Sequence, residues 1–144
     1  MKSFALSLSL FLFVNLAVAA HPPQTSDEAA IRATLTDHIE GYYTGDVARL
    51  EKSLHPHYLK HTLSTSDGKL RMTEWTGLQM VQEVRSAGAS KLPLSERKEQ
   101  ITILDIAGDI ASAKLQTGQW VDYLTLSKGN GDWKIVSVVL REND

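Results

Sequence analysis

The chain contains no cysteine. That excludes a disulfide framework, a thiolate zinc site and a cysteine nucleophile, and it leaves the hydrophobic core to hold the fold together. No cluster of Lys and Arg runs along the sequence, and the formal net charge is -2, so nothing is present to follow a phosphate backbone and nucleic acid is not an expected partner. Beyond residue 20 no apolar run approaches the roughly 20 residues that a spanning helix needs, so no membrane partner is expected for the mature chain. A glycine-rich phosphate loop, a nucleophile elbow, internal repeats and low-complexity tracts are also missing. Histidine, aspartate and tyrosine are the chemistry that remains.

What is there begins with Lys2 and the apolar run "FALSLSLFLFVNLAVAA", which ends in the small residues Ala17, Ala19 and Ala20. This is the pattern of a secretory signal peptide over residues 1–20, and it places the mature protein in the periplasm or outside the cell. Residues 21–25 read as an extended leader by their prolines. Residues 26–144 suit a single domain, long enough to bury a sizeable core.

Within that domain, Thr25 and Glu28 stand in capping-box spacing, and Ile31, Leu35, Ile39 and Tyr42 follow at helical period. A first helix is expected from Ser26 to Tyr43, closed by Gly45. Asp46 then caps a short second helix with Val47, Leu50 and Leu54 on one face, ending before Pro56. "YLKHTL", the turn at Asp67 and Gly68, and "KLRM" suggest a strand pair. "TEWTGLQMVQEVRSAG" reads as a third helix carrying Trp75, Leu78, Val81 and Val84 on one side. From Arg97 onward the period falls to two, with turns at "GD" and "GNGD", as in an antiparallel meander of three to four strands. Helices first and strands afterwards means an α+β fold: about three helices packed on one face of a strongly curved antiparallel sheet, with a pocket between them.

The strings "GYYTGDVARLEKSLHP", "DGKLR" and "ILDIAGDIASAKL" leading to "DYLTLSKGNGDWKIV" resemble, in their order and spacing, the nuclear transport factor 2-like superfamily, in its small exported lumazine-binding and polyketide cyclase-like branch. The resemblance covers essentially the whole mature chain. It implies a cone-shaped fold with an internal pocket, often homodimeric through the outer face of the sheet. It does not imply one reaction, because isomerases, dehydratases, cyclases, epoxide hydrolases and non-catalytic binders share the fold.

Asp122 shares a strand face with Trp120, Leu124 and Leu126, and a carboxylate on such a face is either paired or raised in pKa toward acid-base use. His38 lies in the apolar stripe of the first helix, where a satisfied core histidine is the plainer reading. In steroid-isomerase-like relatives the position seven before the Gly-Asp turn holds an oxyanion-binding tyrosine; here it is His38, a departure from that pattern. Tyr42, one turn on, offers a hydroxyl to a ligand or an aromatic to the core.

Three of the five histidines, His55, His57 and His61, fall within seven residues. Pro56 between the first two speaks against a metal site, and no carboxylate stands at a third-ligand spacing. Strand parity groups His61 with Leu59 and Leu63, toward the expected pocket, and turns Tyr58, Lys60 and Thr62 away. Trp75, Met80 and Trp120 suit the wall of a pocket for a flat ligand as well as they suit a core.

Three functional readings result, the third of which drops the ligand and makes the chain a homodimeric interaction module. The first is an exported protein binding a small apolar or aromatic molecule in a mostly apolar pocket, without a cofactor. The second is a lyase or isomerase with Asp122 or His61 as base and His38 or Tyr42 polarising a carbonyl. A homodimer through an outward sheet face carrying Val136, Val138, Ile101 and Ile103 is compatible with either.

Overall fold

A computed structural model describes residues 25–143. The expected signal peptide and nearly all of the leader lie outside these residues. Three helices, α1 (Ser26–Thr44), α2 (Val47–Ser53) and α3 (Gly77–Ala87), pack on a six-stranded sheet of β1 (Leu54–Ser66), β2 (Lys69–Thr76), β3 (Glu99–Ala107), β4 (Ile110–Thr117), β5 (Trp120–Gly129) and β6 (Asp132–Glu142). The sheet order is β2-β1-β6-β5-β4-β3.

The start of α1 follows from its sequence. Thr25 Oγ1 accepts from the Glu28 backbone N–H at 3.1 Å, satisfying one of the orphan donors of the first turn. At the other end Gly45 takes φ +71°, a left-handed conformation that only glycine adopts without cost. Asp46 then caps α2 by accepting from Arg49 N–H at 3.0 Å. The two helices close tightly because position 41 has no side chain: a Cβ on Gly41 would stand 2.7 Å from the backbone nitrogen of Leu50.

Polar anchors seat α1 across the sheet. Asp27 accepts from Lys128 Nζ at 2.6 Å and from the Trp133 indole at 3.1 Å, while Thr34 donates to the Trp133 carbonyl and Arg32 to the Ile101 carbonyl. Between them Ile31, Leu35 and Ile39 bury their side chains against Leu115, Leu126, Ile135 and Val138. Burying each such aliphatic side chain contributes about 2 kcal/mol, so this layer, and not the surface ion pairs, holds the helices down.

The meander β3–β6 is antiparallel throughout, and β1–β2 is an antiparallel hairpin. The hairpin joins the meander through β1 beside β6, and that pairing is parallel. The sheet is therefore mixed and not purely antiparallel, because the chain crosses over from the hairpin through α3 before the meander begins.

Two local expectations are corrected. Trp75 lies at the end of β2, and the third helix begins at Gly77. The signal for that start is a capping box: Thr76 accepts from Gln79 N–H while Gln79 Oε1 accepts from Thr76 N–H at 2.9 Å. On α3 the inward face holds Met80, Val81 and Val84, whereas Leu78 is exposed.

The phase of β1 is also opposite to the expected one. Its pairing with β6 jumps from Leu54–Ile135 to Leu59–Ser137 across an irregular stretch that contains Pro56. A proline cannot donate to the ladder, so an irregular stretch is where it is tolerated. Beyond it, Lys60 opposes the buried Val138 and His61 opposes the exposed Val139. Tyr58, Lys60 and Thr62 thus face the helices, and Leu59, His61 and Leu63 face away. The same register corrects the outward face proposed for dimerisation: Val138 is buried, and Ile101 and Ile103 pack against the core.

Candidate functional site

Between α1, α3 and the concave face of β1, β2, β5 and β6 lies a cavity of about 640 Å³. Its buried lining is His38, Ile39, Met80, Leu140 and Asp122, and exposed residues such as Glu83, Gln119, Glu142 and Asn143 mark its opening. Tyr42, Trp75 and Trp120 supply aromatic walls, with Trp120 standing edge-on to Tyr42 at a centroid separation of 5.8 Å. Thr62, Ser64 and Thr73 add hydroxyls. The lining is as much polar as apolar, which corrects the expectation of a mostly apolar pocket.

Two neighbouring rows of the sheet build the inner wall. One runs Thr73, Thr62, Leu140, Asp122 and Leu115, from β2 across to β4; the other runs Trp75, Lys60, Val138 and Leu124. Strand register alone therefore brings Lys60 of β1 and Asp122 of β5 to one wall, with β6 between them.

Asp122 is 2% exposed. Its Oδ2 accepts from the Trp120 indole N–H at 3.2 Å, and its Oδ1 is buried with no hydrogen-bond partner. Burial pushes its pKa up to about 6; the Lys60 charge and the indole N–H act in the opposite direction and only partly offset it. Tyr58 lies close enough for the Asp122 charge to add to the effect of burial, and its phenol is held well above its ordinary value.

His38 is buried and neutral, its pKa pulled down to about 3 by desolvation, with Lys60 acting the same way. Ser53 commits its hydroxyl proton to the Leu50 carbonyl at 2.6 Å, so at 3.4 Å from His38 Nδ1 its oxygen acts as acceptor. That geometry assigns the proton to Nδ1 and leaves Nε2 as a lone-pair acceptor. A histidine in this state accepts a hydrogen bond and does not polarise a carbonyl, which leaves Tyr42 of the two residues expected in that role.

Five further expected residues, Asp122, Tyr42, Trp75, Met80 and Trp120, join His38 in the lining. His61 does not. Its Nε2 sits 3.2 Å from Glu74 Oε2 on the opposite face of the sheet, so it shares no cavity point with Asp122 and does not serve as the expected alternative base. The residue missed in its place is Lys60. No local signal pointed to it, because the phase of β1 is set by its pairing with β6. His55 and His57 stack at 5.5 Å, with His55 Nδ1 accepting from the His57 backbone N–H. Among the described residues no three His, Asp or Glu side chains converge as a metal site.

Residues 26–141 match the model of the protein family described as "Putative lumazine-binding". The chain belongs to this family. Within the wider nuclear transport factor 2-like superfamily, the fold is shared by a protein of unknown function from Silicibacter pomeroyi DSS-3, 23% identical with a TM-score of 0.63, the match covering 83% of this chain and 100% of that one. A second such protein, from Shewanella baltica OS155, is 20% identical with a TM-score of 0.66, over 85% and 99% of the two chains. A ketosteroid isomerase-like protein from Erwinia carotovora atroseptica, 9% identical with a TM-score of 0.56 over 84% and 99%, shares the same architecture. At these identities the likeness is one of fold. No protein of curated function matches the chain.

Proposed function

We propose that this lumazine-binding family member holds a small, flat, uncharged molecule in its cavity. The observation that carries the reading is Asp122 Oδ1, buried against the cavity without a partner. Leaving a buried acceptor unpaired costs about 1–3 kcal/mol, which a ligand N–H or O–H would recover once the carboxyl turns toward the cavity it lines. His38 Nε2 is a second acceptor, Lys60 is the donor for a ligand carbonyl, and Tyr42, Trp75 and Trp120 suit an aromatic ring. Lys60 sits among Asp122, Glu83 and Glu142, a mixture of charges that favours a neutral guest. The family description names lumazine, a flat bicycle with N–H and carbonyl groups along one edge, which is of this kind. Thermal denaturation with neutral bicyclic aromatics, lumazine and 1-naphthalenemethanol among them, tests the reading. At a hundredfold excess over Kd the linkage amounts to about 2.7 kcal/mol, a rise in Tm of several degrees. No rise with any of them removes its support.

A second reading, proton transfer next to a ligand carbonyl, is favoured by the Asp122 carboxyl, whose value of about 6 suits a general base near neutral pH. In this version Asp122 takes the proton and Lys60 or Tyr42 polarises the oxygen. Exchange of solvent deuterium into the α-position of a bound ketone, lost in Asp122→Asn, would support it; absence of exchange in the wild type rules it out for that ketone.

A further inference from the structure

Among the described residues Lys60 is the one lysine or arginine in the cavity lining, and the hydrogen bond it donates in the binding reading could come from any donor. Lys60 is half-buried in the cavity wall, where a partner for the ammonium would offset its partial desolvation. Here no hydrogen bond or ion pair holds the ammonium among the described residues. It projects from β1 between Trp75 of β2 and Val138 of β6, under His38 of α1, and its charged neighbours are Asp122 and Glu142, with Glu83 of α3 across the cavity.

We propose that Lys60 forms an imine with an aldehyde or ketone bound in this cavity, with Asp122 carrying the protons of the condensation. The proposal rests on the cavity being a ligand site. It narrows the ligand carbonyl to a reactive one.

The cavity meets three requirements of the reaction. The amine must lose its proton to become a nucleophile, and desolvation lowers its pKa although Asp122 and Glu142 pull the other way. An acid and base must stand nearby, and Asp122, at about 6, exists in both forms near neutral pH. The partner must be held flat against the amine, and Trp75 is the cross-strand neighbour of Lys60.

The Nζ lone pair attacks the carbonyl carbon, and the C=O π pair moves to oxygen. Asp122 passes the surplus proton from nitrogen to that oxygen, giving the carbinolamine. Protonated Asp122 then donates to the hydroxyl, which leaves as water while the nitrogen lone pair closes the C=N bond; the resulting iminium can return its N–H proton to the carboxylate. One amine and one carbonyl give one imine and one water, with no oxidant or reductant consumed.

The test treats the intact protein with 1-naphthaldehyde and sodium cyanoborohydride at neutral pH, then measures by peptide mass spectrometry how fast each lysine gains the reduced naphthylmethyl group. Desolvation enlarges the unprotonated fraction of the amine and the cavity holds the aldehyde beside it, so Lys60 should label several-fold faster than the exposed Lys52. Asp122→Asn should slow labelling at Lys60 and leave Lys52 unchanged. In parallel, 1-naphthalenemethanol, which cannot form an imine, reports binding alone through Tm. Labelling of Lys60 no faster than Lys52, with the alcohol still raising Tm, overturns the imine and leaves the binding site standing. Failure of both overturns both.

Discussion

The Asp122 carboxylate is held by one indole and is otherwise buried and unpartnered: Trp120 Nε1 donates to Oδ2 at 3.2 Å, and Oδ1 has no partner. Both residues sit on β5 two positions apart, so the alternation of the strand places them on one face and the cavity completes the arrangement. The same burial that leaves Oδ1 without a partner raises the carboxyl to about 6. The electrostatics of the site can therefore be read in the stability of the fold.

Asp122 and His38 should oppose each other in the pH dependence of stability. Asp122 rises from 3.8 to about 6 on folding, so its contribution is fully present below about pH 4 and is lost as pH rises through 6, a change of about 3 kcal/mol. His38 falls from 6.5 to about 3, so its contribution is fully present above 6.5 and is lost as pH falls toward 3, a change of about 5 kcal/mol. Between about pH 4 and 6 the two largely cancel. Asp122→Asn should expose the histidine slope, with stability falling on acidification through this window. His38→Gln should expose the aspartate slope, with stability falling as pH rises. Urea unfolding of the three proteins at several pH values checks both signs, and parallel slopes in the two variants would contradict the assignment.

His61→Ala should leave ligand-induced changes in Tm as they are in the wild type. The side chain meets Glu74 on the far face, and an exposed pair of this kind contributes less than about 1 kcal/mol. Abolition of ligand binding by this single change would place His61 in the cavity after all.

Gly41→Ala should destabilise the protein by about 1–3 kcal/mol, because its methyl group meets the backbone of Leu50 and must push α2 off α1. Chemical denaturation should show a lower midpoint with an unchanged slope.

Thr76→Ala removes the cap that marks where β2 ends and α3 begins, and about 1 kcal/mol of stability should go with it. Thr76→Ser, which keeps the hydroxyl, should recover most of the loss.

Much of the fold was legible in the sequence. Thr25, Gly45 and Asp46 marked the helix ends, and alternation located β3 to β6, because caps and period-two burial are local signals. The site was legible where an element was regular: Asp122 and Trp120 on β5, His38 and Tyr42 on α1. It was misread on β1, where the direction of every side chain depends on pairing with β6, nearly eighty residues away in sequence, across an irregular stretch. Trp75 was misread for a related reason. Its segment satisfies a helical period, and only the reciprocal Thr76–Gln79 cap shows that the helix starts after it. The tautomer of His38 was beyond reach, since it is decided by a Ser53 hydroxyl committed to another element.

The central claim is that a small molecule enters the cavity against Trp120 and Asp122. The three indole N–H signals, from Trp75, Trp120 and Trp133, test it most directly in a proton–nitrogen correlation spectrum titrated with lumazine or 1-naphthalenemethanol. Trp75 and Trp120 line the cavity, whereas the Trp133 indole is tied to Asp27 at the start of α1. A saturable shift of the Trp120 and Trp75 signals, with Trp133 unmoved, is the expected result; three unmoved signals at millimolar ligand, or movement of Trp133 alone, would contradict the account.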